Sequence, residues 1–401
     1  MHTQQTDNLH INNSSSDKLR KQVNLVAKLI AIFLVAGFFS FFQLKSQILQ
    51  SVTFLSLIIP AFLQIRYGLA NMASVHRTFM FALLYLIPVS ISFLLNLLIS
   101  GTISIKSAMI LINLYFTFYI ASIFASCFRF DLWRRTLHYI ALFALPIFIY
   151  VVVTQQHAYR WGRWEPFDMQ PNWWGMMVMC VAWGASAWGN IKLRAIVIFA
   201  SFLFLIEVQA RGAIIALLPV LFFSSGFFLP LSRKKTIWLL FGLLIIATGA
   251  LLSSLIMEKG LIEYAVNYII NNVLLFHDSH RGIGTGLTGR MEGYSKAWEV
   301  FISSPAFGSG FGEYGFIHNG FLMTLAESGL FGLTGMLFII GMALINSVKN
   351  KDLFMLGLLL SYITAIMTFP RTFNINMTGF MFIVLVMVGC RTISNRSTLQ
   401  K

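Results

Sequence analysis

Residues 79–99 read FMFALLYLIPVSISFLLNLLI, a run without a charged residue that decides the fold class. A helix of about 20 mostly apolar residues crosses the hydrocarbon core of a bilayer. Runs of this kind begin near Val23, Ile48, Thr78, Ser107, Thr136, Asn172, Ala195, Gly212, Thr236, Asn319, Leu353 and Asn374. The sequence therefore predicts an all-α polytopic membrane protein with about 12 transmembrane helices.

The composition supports a membrane protein and argues against nucleic acid as a partner. The chain is 57% hydrophobic and 11% charged, whereas soluble domains are about 25% charged. Its net charge of +15 would suit nucleic acid, but basic residues in a membrane protein mostly report orientation. The three cysteines, Cys127, Cys180 and Cys390, have no spacing typical of a metal site or a disulfide framework.

The basic residues predict which side of the membrane each loop faces. With the N-terminus in the cytoplasm, eighteen of the 29 Lys and Arg residues fall in inner loops and ten in outer loops. Because cytoplasmic loops carry the excess of positive charge, both termini are expected in the cytoplasm. Ten of the 14 acidic residues fall outside or near outer helix ends. Polar chemistry is therefore expected on the outer, periplasmic side.

The spans divide the chain into five segments. These are a disordered cytoplasmic tail (1–20), transmembrane helices 1–9 (21–257), a periplasmic loop with short amphipathic helices (258–317), transmembrane helices 10–12 (318–391) and a cytoplasmic tail (392–401). The first apolar run is too long for a cleavable signal peptide. In the long loop, Tyr294, Trp298, Phe301 and Ile302 recur at helical spacing, which predicts an amphipathic helix at the membrane interface.

Arginines stand at three places on the outer side. Arg211 lies in the turn between two apolar runs, four residues after Glu207, and Arg290 begins the amphipathic loop helix. Arg160 and Arg163 lie among tryptophans in a shorter outer loop. Each arginine has two interpretations: it snorkels to the headgroups beside an aromatic belt or an acidic partner, or it binds an anion in bidentate fashion.

His318 is the candidate for proton transfer. It stands where the long loop meets the next span and is followed by Asn319. An imidazole titrates near neutral pH and can accept a proton from a hydroxyl; the alternative is a structural or capping histidine. His277 and His280 have poor spacing for two metal ligands on one helix face, which argues against a metal site. Arginines, a histidine and aromatic rings on one face suit a diphosphate-linked sugar.

Five short motifs follow one another in an order and spacing typical of one family. They are Gln209-Ala210-Arg211-Gly212-Ala213, Gly289-Arg290-Met291-Glu292, Ser304-Pro305-Ala306-Phe307-Gly308-Ser309-Gly310-Phe311-Gly312, His318-Asn319-Gly320-Phe321-Leu322 and Glu327-Ser328-Gly329-Leu330-Phe331-Gly332. Together with the outer loop 160–172, which ends in Pro-Asn, they resemble the O-antigen ligase/polymerase superfamily over roughly residues 155–335.

The resemblance implies an inverting, metal-independent glycosyltransferase with a GT-C-like fold and no cofactor, on the periplasmic face of the bacterial inner membrane. Its donor would be a glycan on undecaprenyl diphosphate. Arg211 and Arg290 would bind the diphosphate and stabilise the leaving group, and His318 would orient or deprotonate the acceptor hydroxyl. The expected substrate-binding set is Arg160, Arg163, Glu207 (which would position Arg211) and Asn319.

The resemblance leaves the acceptor open. A polymerase joins lipid-linked repeat units into O-antigen or exopolysaccharide, whereas a ligase transfers the glycan to lipid A-core. The compact outer loop and the lack of a soluble domain after the last span favour a polymerase. Membrane lipid, flippase and chain-length regulator proteins are the expected partners. A 12-helix transporter is the main alternative from another class, but transporters usually show internal repeats and charges at the bilayer midplane.

Overall fold

The computed structural model describes residues 3–43, 56–101, 105–127, 132–155, 159–160, 163–168, 171–208, 210–224, 290–311, 317, 319–367 and 377–399. Nearly all of these residues are helical. The helices are α1 (Thr3–Gln43), α2 (Ile58–Arg66), α3 (Met72–Ser100), α4 (Ile105–Ala125), α5 (Leu132–Thr154), α6 (Pro171–Ser186), α7 (Ile191–Glu207), α8 (Arg211–Pro219), α9 (Arg290–Ser303), α10 (Gly320–Lys349), α11 (Leu353–Ile366) and α12 (Met377–Leu399). Two-residue strands, β1 (Tyr159–Arg160) and β2 (Arg163–Trp164), form an antiparallel hairpin between α5 and α6.

Long apolar helices confirm that the chain is a helical membrane protein. Helices α3, α5 and α10 and the stretch Ser107–Ala125 of α4 are long and apolar enough to cross a bilayer. Their outward side chains suit lipid rather than water, since Leu98 and Ile99 are 77% and 85% exposed. The count of 12 spans, the GT-C-like architecture and the sidedness stay predictions. The predicted ninth span, the part of the predicted periplasmic loop before Arg290 and the His277/His280 pair lie outside the described residues.

Helix α12 occupies the centre of the bundle. Its side chains from Thr378 to Met387 are all buried, and it packs against α3, α4, α6, α10 and α11. A helix that is apolar on every side is stable when other helices surround it. Near its far end, Gly389 lies so close to Ala343 that a side chain there would clash, and this small residue lets α10 and α12 approach each other closely.

Contacts between helix ends define two ends of the bundle. At one end, Thr378 Oγ1 donates to the Met176 carbonyl (2.6 Å), which joins the starts of α12 and α6, and Gly175 faces the start of α8. This end carries the β-hairpin and is termed the hairpin end. At the other end, Arg134 donates to both carboxylate oxygens of Asp352 (3.0 and 2.8 Å). That end is termed the Asp352 end.

Helix α10 is broken at Gly329. The backbone there has φ 63° and ψ −162°, a conformation open essentially to glycine alone. Thr324 Oγ1 lies 3.6 Å from Met336 Sδ, although twelve residues of a straight helix would separate their backbones by about 18 Å. The two parts, 320–328 and 330–349, therefore meet at a sharp angle. The second part alone is about 30 Å long, enough to span the hydrocarbon core.

The loop 304–310 fills the break. Four backbone hydrogen bonds join it to α10: Leu330 N–H to the Pro305 carbonyl (2.9 Å), Phe331 N–H to Ala306 (3.2 Å), Ser309 N–H to Ala326 (3.0 Å) and Gly310 N–H to Glu327 (3.4 Å). From α3, Ser92 Oγ also donates to the Glu327 carbonyl (2.5 Å). Backbone groups that the break takes out of the helix are thus satisfied inside the protein, as a low-dielectric setting requires.

Candidate functional site

Two of the three predicted catalytic residues begin helices, and the third directly precedes a helix N-cap in the sequence. Arg211 is the first residue of α8 and Arg290 the first residue of α9, while His318 directly precedes Asn319, the N-cap of α10. The side chains of Arg211 and Arg290, and the whole of His318, lie outside the described residues. A helix N-terminus favours anions and disfavours cations. The dipole of its own helix therefore does not stabilise an arginine at this position, whereas a bound anion does.

Asn319 caps the helix that follows His318. Its side-chain Oδ1 accepts hydrogen bonds from the N–H groups of Phe321 (3.0 Å) and Leu322 (3.1 Å). A cap of this kind stabilises a helix by about 1 kcal/mol. The sequence interpretation placed Asn319 in the substrate-binding set. The cap is a structural role for Asn319, and its predicted contact with substrate stays a prediction.

Helix α9 and the first part of α10 run side by side in the same direction. Their C-terminal ends meet at the break, where Leu330 N–H donates to the Pro305 carbonyl. Along their length, Ala297 of α9 shares one buried apolar cluster with Met323 and Ala326. The N-terminal end of α9 therefore lies on the same side as the N-terminal end of α10. Arg290, which begins α9, and Asn319, which caps α10, therefore lie on the same side of this helix pair.

The hairpin sets Arg160 and Arg163 opposite each other. The register pairs Arg160 with Arg163 and Tyr159 with Trp164; the side chains of the two arginines lie outside the described residues. Residues directly opposite in an antiparallel pair have Cβ atoms about 5 Å apart, and like charges there destabilise the pair. A bound anion would remove this repulsion.

Buried aromatic residues hold the hairpin in place. Trp164 Nε1 donates to the Gln155 carbonyl (2.6 Å), and Trp174 Nε1 donates to the Pro166 carbonyl (3.2 Å). Both indoles contact the Phe204 ring, with centroids 5.1 and 5.6 Å away. Trp164 and Trp174 are only 5% and 1% exposed, so the alternative of an interfacial aromatic belt is wrong for these two tryptophans.

Arg211 belongs to the same group as the hairpin. Helix α7, which carries Phe204 and ends at Glu207, leads into α8 through a tight turn in which Ala210 N–H donates to the Leu205 carbonyl (3.0 Å). Gly175 near the start of α6 packs against this turn. Glu207 is exposed, and its predicted positioning of Arg211 stays a prediction. Two groups therefore form at the hairpin end: Arg211 with the hairpin, and Arg290 with Asn319.

Two buried carboxyl groups were missed by the sequence analysis. Glu327, two residues before the break in α10, is 3% exposed, and Glu165, directly after the hairpin, is 6% exposed. Buried acidic residues in a membrane protein usually mark functional or paired positions. The available signal was the position of Glu327 two residues before a glycine. That signal has meaning only once Gly329 is known to break the helix.

The described residues contain no group of three or more His, Cys, Asp or Glu side chains that could hold a metal ion. The predicted independence from metal stays a prediction. No protein-family model matches the chain, and no curated protein matches its sequence. A function for this chain is therefore inferred from the resemblance of its motifs and from the geometry of the hairpin end.

Proposed function

We propose that this chain is an inverting glycosyltransferase that polymerises undecaprenyl-diphosphate-linked repeat units at the periplasmic face of the bacterial inner membrane. One observation carries the proposal: Arg211 and Arg290 begin α8 and α9, and His318 directly precedes Asn319, the N-cap of α10. A transferase of this kind needs donors for a dianionic leaving group and a base next to them. Helix N-termini with arginines provide the first, and the histidine provides the second.

The leaving diphosphate gains most from this arrangement. As the bond between the anomeric carbon and the diphosphate oxygen breaks, negative charge grows on that oxygen. Backbone N–H groups at a helix N-terminus and guanidinium forks are both suited to it. Arg211 and Arg290 stabilise the developing charge without a divalent cation. Arg160 and Arg163, opposite each other in the hairpin, grip the same anion or the adjoining headgroup.

His318 acts on the acceptor. Its imidazole accepts the proton of the acceptor hydroxyl while the hydroxyl oxygen forms a bond to the anomeric carbon from the side opposite the diphosphate. The configuration at that carbon is inverted, the proton stays on His318, and undecaprenyl diphosphate leaves. The Asn319 cap holds the start of α10 so that the imidazole keeps one orientation during this step.

The surface glycans of a deletion strain test this function. Loss of a polymerase leaves lipid A-core capped with a single repeat unit, and a plasmid-borne copy of the chain restores long glycans. Complete loss of glycan from lipid A would instead identify a ligase, which transfers the finished chain from the same donor. Unchanged glycans on every carrier would disprove the transferase proposal and return attention to a transporter.

A further inference from the structure

Helix α9 has two distinct apolar surfaces. One is buried: Ala297 is 1% exposed, and Tyr294 and Val300 pack with it in the cluster shared with α10. The other is open, since Trp298 and Ile302 are 51% and 61% exposed. Packing against α10 therefore accounts for only part of the apolar side of this helix, and the Trp298–Ile302 edge requires another partner.

The charged residues of α9 lie away from this open edge. Glu292, Lys296 and Glu299 are all exposed. With about 100° of rotation per residue, they occupy one side of the helix, whereas Trp298 and Ile302 lie between that side and the buried one. The arrangement suits a helix with three surroundings: protein, water and an apolar phase.

A second pair of aromatic rings joins the loop that follows α9 to the membrane-spanning part of α10. The Trp298 ring contacts Phe301, with centroids 5.2 Å apart, and Phe307 of the 304–310 loop stacks on Phe331 at 5.0 Å. Phe331 is 55% exposed and begins the part of α10 that is long enough to span the bilayer. We name this surface, formed by Trp298, Phe301, Ile302, Phe307 and Phe331, the α9 ridge. Farther along α10, Leu337 and Phe338 are also about half exposed, at 48% and 51%.

We propose that the α9 ridge is inserted among the acyl chains of the lipid leaflet at the hairpin end, with the charged side of α9 facing water. The occupant is lipid rather than protein because Phe307, in the loop that follows α9, stacks on Phe331 in the exposed apolar surface of a membrane-spanning helix. Tryptophan at such an edge is typical of the membrane interface. This inference is independent of the proposed enzymatic function.

Spin labels on full-length protein in phosphatidylethanolamine/phosphatidylglycerol vesicles test the inference. Labels are attached to Trp298→Cys and Ile302→Cys, with Glu292→Cys and Glu299→Cys as matched controls from the charged side. The native Cys127, Cys180 and Cys390 are buried, and wild type treated in parallel gives the background. At positions 298 and 302, collisions with oxygen should exceed collisions with a water-soluble nickel chelate, and the order should reverse at 292 and 299.

Two outcomes would overturn the inference. More frequent collisions with nickel than with oxygen at 298 and 302 would place the ridge in water. Few collisions with either reagent would mean that a protein surface covers it. Should Trp298→Cys fail to fold, Trp298→Phe provides a second measurement, because brominated acyl chains should quench wild-type fluorescence more than that of the variant. Equal fractional quenching of the two proteins would count against insertion.

Discussion

Arginines occur at both ends of the bundle, but they are placed differently with respect to helix ends: at one end, two of them contact the C-terminal ends of other helices. At the Asp352 end, Arg391 Nη1 donates to the last carbonyl of α4 (2.5 Å), and Arg194 Nε donates to the carbonyl two residues past α6 (3.1 Å). Carbonyls at the C-terminal ends of helices attract cations. At the hairpin end, Arg211 and Arg290 begin their helices, where the helix dipole has the opposite sign.

The difference teaches how to distinguish a structural arginine from a binding one. At a helix C-terminus, the fold itself supplies the negative partner, so removing the arginine costs stability. At a helix N-terminus, the favourable partner is an anion that comes from outside the helix. Removing that arginine should therefore cost activity. Variants at both ends of the bundle test this distinction between structural and anion-binding arginines.

Replacing His318 should have the largest effect. His318→Ala is expected to lower the rate of glycan transfer by about 10²–10⁴-fold, because general-base assistance is lost, while the protein stays in the membrane. The measurement is the initial rate with a lipid-diphosphate-linked donor in vesicles. His76→Ala is the control, since His76 is exposed in the first turns of α3 and should be dispensable. A wild-type rate of transfer by His318→Ala would show that His318 is not the general base.

The charge-preserving variants Arg211→Lys and Arg290→Lys should each lower transfer by about 10²–10³-fold, because a point charge does not replace a bidentate fork at a developing anion. Arg194→Lys at the Asp352 end is the matched control and should retain the wild-type rate. A wild-type rate from Arg211→Lys would show that Arg211 snorkels to the headgroups. It would also mean that Arg211 is not an anion-binding arginine.

Gly329→Ala tests the break in α10 at which α9 and the first part of α10 meet. A Cβ atom there would clash with the Ala306 carbonyl, and alanine disfavours the backbone conformation. We expect a loss of stability on the order of 3–5 kcal/mol, measured as a lower melting temperature in detergent. Gly341→Ala, which meets nothing within 4 Å, is the control. Equal melting temperatures of Gly329→Ala and Gly341→Ala would mean that α10 accommodates alanine at the break without loss of stability.

Variants of Asn319 distinguish its role as a helix cap from a direct contact with substrate. Asn319→Ala should lower stability by about 1 kcal/mol through loss of the cap and should reduce transfer by disturbing the start of α10. Serine also caps helices, so Asn319→Ser should restore both melting temperature and transfer. If Asn319→Ser restores melting but not transfer, the amide contacts substrate, as the sequence analysis predicted.

The smallest effect is expected from Arg134→Ala at the Asp352 end. Arg134 Nη2 alone donates to both carboxylate oxygens of Asp352, and the side chains are 38% and 25% exposed. Solvent therefore screens the pair, and its loss should cost about 1 kcal/mol or less. Transfer should stay at the wild-type rate. A large fall in transfer with an unchanged melting temperature would contradict the division between the two ends.

The sequence predicted those features that depend on local patterns. The apolar runs identified the membrane class, and the run predicted to begin near Asn319 matches the observed start of α10 at Gly320 to within one residue. The loop helix was also predicted near its observed bounds, Arg290–Ser303. Each of these signals lies within one stretch of chain and needs no partner to be recognised.

Features that depend on contacts between segments could not be predicted. Gly329 is one glycine among 29, and only the proximity of Ala306 shows why the helix breaks there. The apolar residues of α9 appear in sequence as one stripe, although Ala297 is buried while Trp298 is half exposed. Trp164 likewise appeared interfacial until its contact with Phe204 placed it inside the protein.

The central position of α12 has a consequence for how the protein is made. This helix follows all the other described helices along the chain, yet it fills the middle of the bundle. The helices around it are synthesised first, so their inner surfaces remain open to lipid until α12 arrives. Insertion of α12 therefore expels lipid and closes the bundle. Nascent chains truncated before Thr378 should be the species that membrane quality control recognises and removes.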